Sequence, residues 1–406
     1  MATPFAVSAA GVAGFLADAQ HLSAPQGRAA ARATGNAVLR EIRHLECVQI
    51  DPVAVVERNQ HLVLAARLPG YVPDRLGELL RAGSVFEYWA NAVCAIPTDD
   101  FPIFEGTRRW FRRRLAAEIA SLGPVVRRVL ATLDEGVSLP ARAFASPERV
   151  RGHWGSDAKA TSHALSLLFR AGRLVVTGRE GAERRFALPA HAIPADLRER
   201  ARDITSRDAD DALFEKYVRA CRVFDAQDPR LGWSRAPAAV RRAALDRRVR
   251  GGELVPLRID GVARPYFARA RDLDALRRHA ASGVDGGRER PVRFLAPLDN
   301  LLWRRERLAD VFGFQYRWEG YTPEAKRRYG HYAMPILWGS RLIGRLDPRL
   351  DRERGRLVVR LLHLEPHVAP TRALRRRLEA ALDSFAAFHG ARDYTVERSE
   401  PARLWA

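Results

Sequence analysis

The chain has 406 residues, 47% of them hydrophobic and 29% charged, with 68 basic against 48 acidic side chains and a formal charge of +20. That length calls for more than one core, the apolar share excludes wholesale disorder, and the basic surplus points to a polyanion, with nucleic acid ahead of an anionic membrane surface. Arginine carries almost all of the positive charge, since Lys159, Lys216 and Lys326 are the only lysines. The cysteines Cys47, Cys94 and Cys221 form no CxxC pair and support neither a disulfide framework nor a cysteine-rich zinc site. No uninterrupted apolar stretch approaches the length of a membrane span, and no basic residue precedes Arg28, the wrong charge order for a signal peptide. The reading is a cytoplasmic protein in a reducing compartment, with no membrane partner.

In chain order, Ser8 is placed to cap a helix carrying Val12, Phe15 and Leu16, and a second helix over 35–46 sets Val38, Ile42 and Leu45 on one stripe. The chain then turns extended. In Cys47-Val48-Gln49-Ile50-Asp51-Pro52 the apolar Val48 and Ile50 alternate with Gln49 and Asp51, and Pro52 disfavours a helical Asp51. Gln49 and Asp51 then project together from one face, roughly 7 Å apart at their α-carbons. From alternation alone, a solvated strand edge is the favoured reading. Arg58 and His61 follow on a predicted helix.

Residues 171–188 align without gaps on 251–268, with Gly172 on Gly252, Leu174 on Leu254, Gly181 on Gly261, Arg184 on Arg264 and Phe186 on Tyr266. Each copy reads as a β-hairpin. A helix precedes the first, with Leu165, Leu168 and Phe169 at helical spacing and Gly172 at its end; Val240 and Ala244 read the same way before the second. Helices followed by a two-stranded wing make a winged helix. The stretches 189–195 and 281–291 look like linkers. Beyond residue 290, short apolar runs at Met334–Trp338, Leu342–Leu346 and Leu357–Leu362 predict a mainly-β region. There is no P-loop, no GxSxG and no HExxH. Ser156-Asp-Ala-Lys159 satisfies SxxK only formally, and Ser156 is read as a helix cap.

The run CVQIDPVAVVERNQHLVLAARLPGY, with Val85-Phe-Glu-Tyr-Trp-Ala90 after it, resembles the interstrand-crosslink DNA glycosylases of the AlkZ and YcaQ type, a winged-helix superfamily. The run FLAPLDNLLWRRERLADVFGFQYRWEGYTPEAKRRYGHYAMPILWGSRLIGRLDPRLDR is similar to the same family's second hallmark. The resemblance covers most of the chain. It implies an α+β protein of three tandem winged helix-turn-helix units followed by a C-terminal β-barrel-like domain, around a basic channel for duplex DNA. The corresponding boundaries are 1–118, 119–192, 193–285 and 286–406. The family's Gln-aliphatic-Gln or Gln-aliphatic-Asp motif is present in its second form as Gln49-Ile50-Asp51, like the YcaQ branch. One departure is Asn91, which follows Tyr88-Trp89-Ala90 where relatives commonly have histidine.

The chemistry suits these residue types. A guanine alkylated at N7 already carries positive charge and leaves without being protonated. A single carboxylate, Asp51, can then stabilise the sugar cation and take a proton from the attacking water, while the Gln49 amide orients that water or the sugar. No cofactor or metal is called for. No lysine lies near the pair in sequence, so no Schiff-base lyase step is expected. The expected activity is therefore a monofunctional glycosylase of base excision repair that also unhooks crosslinks, with double-stranded DNA bearing alkylated or crosslinked guanine as partner and the enzyme a monomer associated with the nucleoid during repair. Candidate DNA contacts are Arg58, His61, Lys159, Lys326, Arg327 and Arg328, whose phosphate contacts make binding salt dependent; Arg170, Arg173, Arg241 and Arg242 are placed to do the same or to solvate ordinary helices. The competing readings are a non-catalytic winged-helix DNA binder, such as a transcriptional regulator, and a set of modules that mainly contact protein.

Overall fold

The computed structural model describes residues 3–23, 32–144, 148–151, 157–281 and 290–405. Two capped helices open it. Ser8 Oγ accepts from the Gly11 N–H (3.1 Å) at the start of Ala9–Ala19, and Thr34 Oγ1 from the Ala37 N–H (3.2 Å) at the start of Gly35–Leu45. Their apolar stripes, Val12, Phe15 and Leu16 on one and Val38, Ile42 and Leu45 on the other, are buried as the spacing predicts.

The internal repeat is a helix–hairpin unit built twice. The helix Ala160–Arg170 stops at Gly172, whose φ of +69° lets the Arg173 N–H reach the Leu168 carbonyl at 2.9 Å. A Cβ there would lie 2.1 Å from Arg108 Cδ, so close packing adds to the need for glycine. In the second copy Ala238–Arg250 stops at Gly252, φ +73°, with the Glu253 N–H on the Arg248 carbonyl at 3.0 Å. Antiparallel hairpins follow both: Val175–Glu180 with Glu183–Ala187, and Leu254–Ile259 with Tyr266–Arg269.

The two copies are completed by different neighbours. The first hairpin adds Leu139–Pro140 as a third strand, whereas the second joins a four-stranded sheet with Val223–Asp225 on one side and Phe5–Val7 on the other, the latter in parallel register with Phe5 opposite Leu257. The helix that Ser8 caps accordingly packs on Leu273–Ala281 and Arg305–Phe312. Two further expectations change. Val240 is 54% exposed, and the helix buries Leu245 and Arg248 instead, because its alanine-rich first turns offer little apolar surface. The stretch 189–195 is no open linker but the helix Pro189–Ala192 and the start of Ala195–Asp203, anchored by buried Ile193 and Leu197. Ser156 and most of 281–291 lie outside the described residues.

The C-terminal region is a sheet in the order Val292–Phe294, Met334–Trp338, Arg341–Asp351, Arg356–Leu364, Asp393–Val396, with Ser399–Glu400 also on the fourth strand. Its two outer strands do not pair with each other, so the barrel expectation is met as half a barrel. The helix Arg372–Phe388 packs against both edges, burying Leu374, Leu378, Leu382 and Ala386 at four-residue intervals. A backbone edge that would otherwise meet water is thereby covered.

One ion pair joins the N-terminal region to the C-terminal region. Arg67 donates to Asp299 from Nη1 (2.7 Å) and Nη2 (2.9 Å), and neither side chain has exposed surface. Arg67 also donates to the carbonyls of Gln20 (2.9 Å) and Val63 (3.0 Å), so the guanidinium is well satisfied. Removing one partner strands a buried charge. Arg67→Ala or Asp299→Ala is expected to cost about 3–5 kcal/mol in urea-unfolding measurements, and the paired apolar replacement Arg67→Met with Asp299→Leu much less.

Candidate active site

The motif segment is the edge of a three-stranded sheet in the order Val48–Gln49, Val93–Pro97, Val85–Trp89. On its inner side Gln49 lies opposite Cys94 and the Ile50 N–H reaches the Val93 carbonyl at 2.8 Å. Among the described residues the outer side has no strand, and buried backbone groups there need partners. Side-chain amides supply them. Asn300 Nδ2 donates to the Cys47 carbonyl (2.8 Å), Asn59 Nδ2 to the Gln49 carbonyl (2.8 Å), and Gln60 Oε1 accepts from the Asp51 N–H (3.2 Å). Asn59 Oδ1 also accepts from the Leu298 N–H (3.1 Å), so the loop after Val292–Phe294 is tied to the motif through one amide.

Gln49 is 9% exposed, and its Oε1 accepts from Asn91 Nδ2 at 3.1 Å. That commits the carbonyl end and leaves Nε2 with no protein partner among the described residues. Asp51 is half-buried, and its Oδ1 accepts from the Val53 N–H (2.9 Å), closing a tight turn that holds the carboxylate while Oδ2 stays unengaged. Burial raises the Asp51 pKa above the ordinary carboxylate value, against the opposing effect of the Val53 hydrogen bond. Burial, followed by the Tyr316 hydroxyl and the carboxylates of Asp51 and Glu57, likewise holds the wholly buried Tyr332 hydroxyl above its ordinary range. An unengaged carboxylate oxygen near an unengaged amide N–H can bind and polarise a water.

Ile50, between the pair, lines two cavities of about 390 and 400 Å³ at the seam with the first hairpin, and neither Gln49 nor Asp51 lines either. The alternation read from sequence therefore separates the two faces. The seam is closed by ion pairs and a hydrogen bond: Arg179 grips the buried Glu87 from Nε (2.6 Å) and Nη2 (2.8 Å), and Arg58 Nη1 donates to the Gly181 carbonyl (2.8 Å). Arg58 thus caps the helix Asn59–Ala65 and fastens the hairpin turn. His61 shares a hydrogen bond with the Tyr71 hydroxyl (2.9 Å), and burial, then the Arg58 and Arg179 charges, push its pKa down to about 4. It is a neutral wall of the 390 Å³ cavity.

The other candidate contacts stand apart from these. Lys159 is exposed where the helix Ala160–Arg170 begins. Lys326 and Arg328 are exposed on the segment after Thr322, while Arg327 is half-buried and donates to the Thr322 carbonyl (2.8 Å). Arg241 is committed to the carbonyls of Pro229, Leu231 and Ala236. Trp89 packs on Phe111 and Phe169 in the interior. Sequence reasoning passed over Asn59, Gln60, Asn300 and Tyr332; the available signal was their place inside the two hallmark runs.

A carboxylate and an amide held at and just after a clamped edge strand, on a strongly basic α+β chain, are groups of the kind that a nucleic-acid hydrolase uses. The model of the DNA glycosylase AlkZ-like family matches residues 42–388, and the chain belongs to that family of enzymes, which hydrolyse N-glycosyl bonds in DNA. Its fold is similar to that of the solved Streptomyces sahachiroi DNA glycosylase AlkZ, with a TM-score of 0.63 at 17% identity, covering 97% of this chain and 100% of that one. No helix among the described residues is long and apolar enough to cross a membrane.

Two outcomes follow from the local geometry. Asn91→Ala frees the Gln49 amide to rotate and is expected to lower the rate of base release about tenfold, the scale of one lost hydrogen bond, with the thermal midpoint little changed; single-turnover kinetics and a melting curve check this. For Asp51 the raised pKa means that the folded protein holds the carboxyl proton more tightly than the unfolded chain, so its contribution to stability falls as pH rises from the ordinary value through the raised one. Asp51→Asn, which keeps the Oδ1 acceptor, is expected to melt higher than wild type at pH 7 and to lose that advantage below about pH 4.

Proposed function

We propose that this enzyme is a monofunctional DNA glycosylase that releases guanine alkylated at N7, including guanine tied into interstrand crosslinks, with Asp51 and Gln49 as its catalytic pair. The observation that carries the reading is that Gln49, at the end of the edge strand Val48–Gln49, and Asp51, two residues on, each keep a free polar atom and lie away from the seam that Ile50 lines. The leaving base is already cationic, so the protein has to act only on the sugar and the water. Asp51 Oδ2 is the base toward that water and the counter-charge to the developing oxocarbenium ion. Gln49 Nε2, aimed by Asn91, donates to the water or to the sugar. Asp51 must be ionised to do this.

The lysines support a reaction without a lyase step. Lys216, the one closest in space to the motif's preceding helix, is fully buried and spent on Glu46 (3.0 Å) and Asp100 (2.6 Å), so no free amine is offered there for a Schiff base. The helix–hairpin units are read as winged helices, three in all, over 1–118, 119–192 and 193–285, ahead of the region 286–406. They present duplex DNA to the open face of the motif strand. Lys159, Lys326, Arg327 and Arg328 meet phosphates, and Arg58 and His61 act from the cavity wall. A crosslinked base cannot swing freely out of the duplex, which favours a site on an open edge over an enclosed pocket. The enzyme acts as a monomer, in the cytoplasm, on nucleoid DNA.

The test is base release from duplexes carrying N7-methylguanine or an N7-linked nitrogen-mustard crosslink, with abasic sites revealed by alkali. Wild type is expected to release both, and Asp51→Asn to fall at least about a hundredfold, the scale of a lost general base; Gln49→Ala should fall less. The acid limb of the wild-type pH profile is expected above pH 4, where the raised Asp51 titrates, and to vanish in the residual activity of Asp51→Asn. DNA binding without release from either substrate would move the protein to the non-catalytic reading.

A further inference from the structure

Among the described residues, large hydrophobic side chains with substantial exposure are few: Val137 at 37%, Val240 at 54% and Tyr321 at 83%. Tyr321 stands out because the backbone that presents it is fixed. The carboxylate of Glu319, itself only 9% exposed, accepts from three consecutive N–H groups, those of Arg328 (3.1 Å), Tyr329 (2.9 Å) and Gly330 (3.1 Å). The Thr322 N–H returns to the Glu319 carbonyl (2.9 Å), Arg327 Nε bonds the Thr322 carbonyl (2.8 Å), and Trp318 Nε1 bonds the His331 carbonyl (3.2 Å). Segment 318–331 is thus closed on itself by hydrogen bonds at both ends. Such a segment has lost its conformational entropy before any partner arrives.

What it presents is an aromatic tip with basic flanks. The Tyr321 ring meets Trp318 edge-on at 5.2 Å, and Trp318 meets Tyr332 at 6.2 Å and 90°. Tyr332 leads into the strand Met334–Trp338, whose Pro335 carbonyl receives the Leu295 N–H (2.9 Å), and three residues on Leu298 is bonded to Asn59, the residue that holds the Gln49 carbonyl. The rings of Tyr321, Trp318 and Tyr332 therefore form a row from the solvent tip to the interior, and the backbone beyond Tyr332 is tied through Leu295 and Leu298 to Asn59. Lys326 and Arg328 are exposed on the same segment, and charge of that sign around an exposed ring selects a nucleic acid over an apolar protein surface.

We propose that Tyr321 is a DNA-stacking residue, whose ring packs on a base left unstacked at the lesion while Lys326 and Arg328 hold the adjoining phosphates. The proposal rests on the glycosylase reading for the identity of the duplex, but its test needs no turnover. Affinity is measured for a duplex with a stable abasic-site analogue opposite 2-aminopurine, using wild type, Tyr321→Ala, Tyr321→Phe and Lys326→Ala. Tyr321→Ala is expected to bind about tenfold more weakly with an unchanged salt slope and to lose the 2-aminopurine emission change seen with wild type, and Tyr321→Phe to behave as wild type. Lys326→Ala should instead weaken binding to damaged and undamaged duplex alike and flatten the salt slope. Because Tyr321 is exposed, an unchanged melting curve confirms that the variant folds. Binding of Tyr321→Ala within twofold of wild type, with the same emission change, would overturn the proposal, and so would a loss in Tyr321→Phe equal to that in Tyr321→Ala. Wild type that binds and stacks but releases no base would instead sink the assigned reaction alone.

Discussion

The site depends on a guanidinium and a carboxylate that have no contact with water, Arg67 and Asp299, which meet although they lie 232 positions apart in the chain. Burying both is costly, and only full coordination offsets it. Arg67 meets that condition through Gln20 and Val63, and Asp299 through the Leu301 N–H (2.9 Å), which its Oδ1 accepts as the cap of a short helical turn. The pair therefore fixes the segment around residues 296–300 to one place. From there Asn300 and Leu298 reach the motif strand and its helper Asn59. Gln49 and Asp51, the proposed catalytic pair, belong to the N-terminal third of the chain, but their position is set by residues from the last third.

The same arrangement explains how an edge strand can carry a site at all. An unpaired edge invites pairing with other chains, and a neighbouring strand would close the face that a bulky substrate must approach. Three side-chain amides resolve the conflict. Asn300, Asn59 and Gln60 satisfy the outward backbone groups one at a time, and they occupy less room than a strand would. The inward face is closed differently, by the first hairpin, which Arg179 and Arg58 fasten against Glu87 and the motif. Ile50 points into that seam and so holds Gln49 and Asp51 to the other side.

Much of this order was legible in the sequence because it follows from periods of two and of about four residues. The cap at Ser8, the helix over 35–46, the glycine stops at Gly172 and Gly252 and the apolar runs of the last region are local signals, and the structure has them where the pattern puts them; the extended motif is seen as a strand only over Val48–Gln49. Long-range pairing is another matter. Nothing in Phe5-Ala6-Val7 announces a parallel partner at 257–259, because a three-residue apolar run fits any sheet edge. Asn59, Gln60 and Asn300 look like ordinary surface amides until the strand that needs them is in place. Val240 misled for a physical reason: in a helix rich in alanine and arginine, one valine does not decide which face turns inward.

Charge was the least legible property, since a count of arginines does not say which ones face a ligand. Many do not. Arg108, Arg248, Arg269, Arg307 and Arg345 are all at least nine-tenths buried, paired with Glu105, Asp211 and Glu215, Asp272, backbone carbonyls and Glu365 respectively. Their work is to bridge elements that a small apolar core does not join, which planar guanidinium does better than an ammonium group. Arg58 and Arg179 are spent in the same way beside the motif, and His61 there is neutral. The two exposed lysines, by contrast, stand at Lys159 and Lys326, outside every such bridge among the described residues. In a chain that writes nearly every cation as arginine, a compact and strongly hydrated ammonium at the surface is the group best suited to a phosphate that must be held and then released. The division is therefore between arginines that hold the protein together and exposed cations that stay free for the proposed DNA contacts. It directs the search for the DNA path to the surface that joins Lys159, the open face of Asp51 and the arm bearing Lys326.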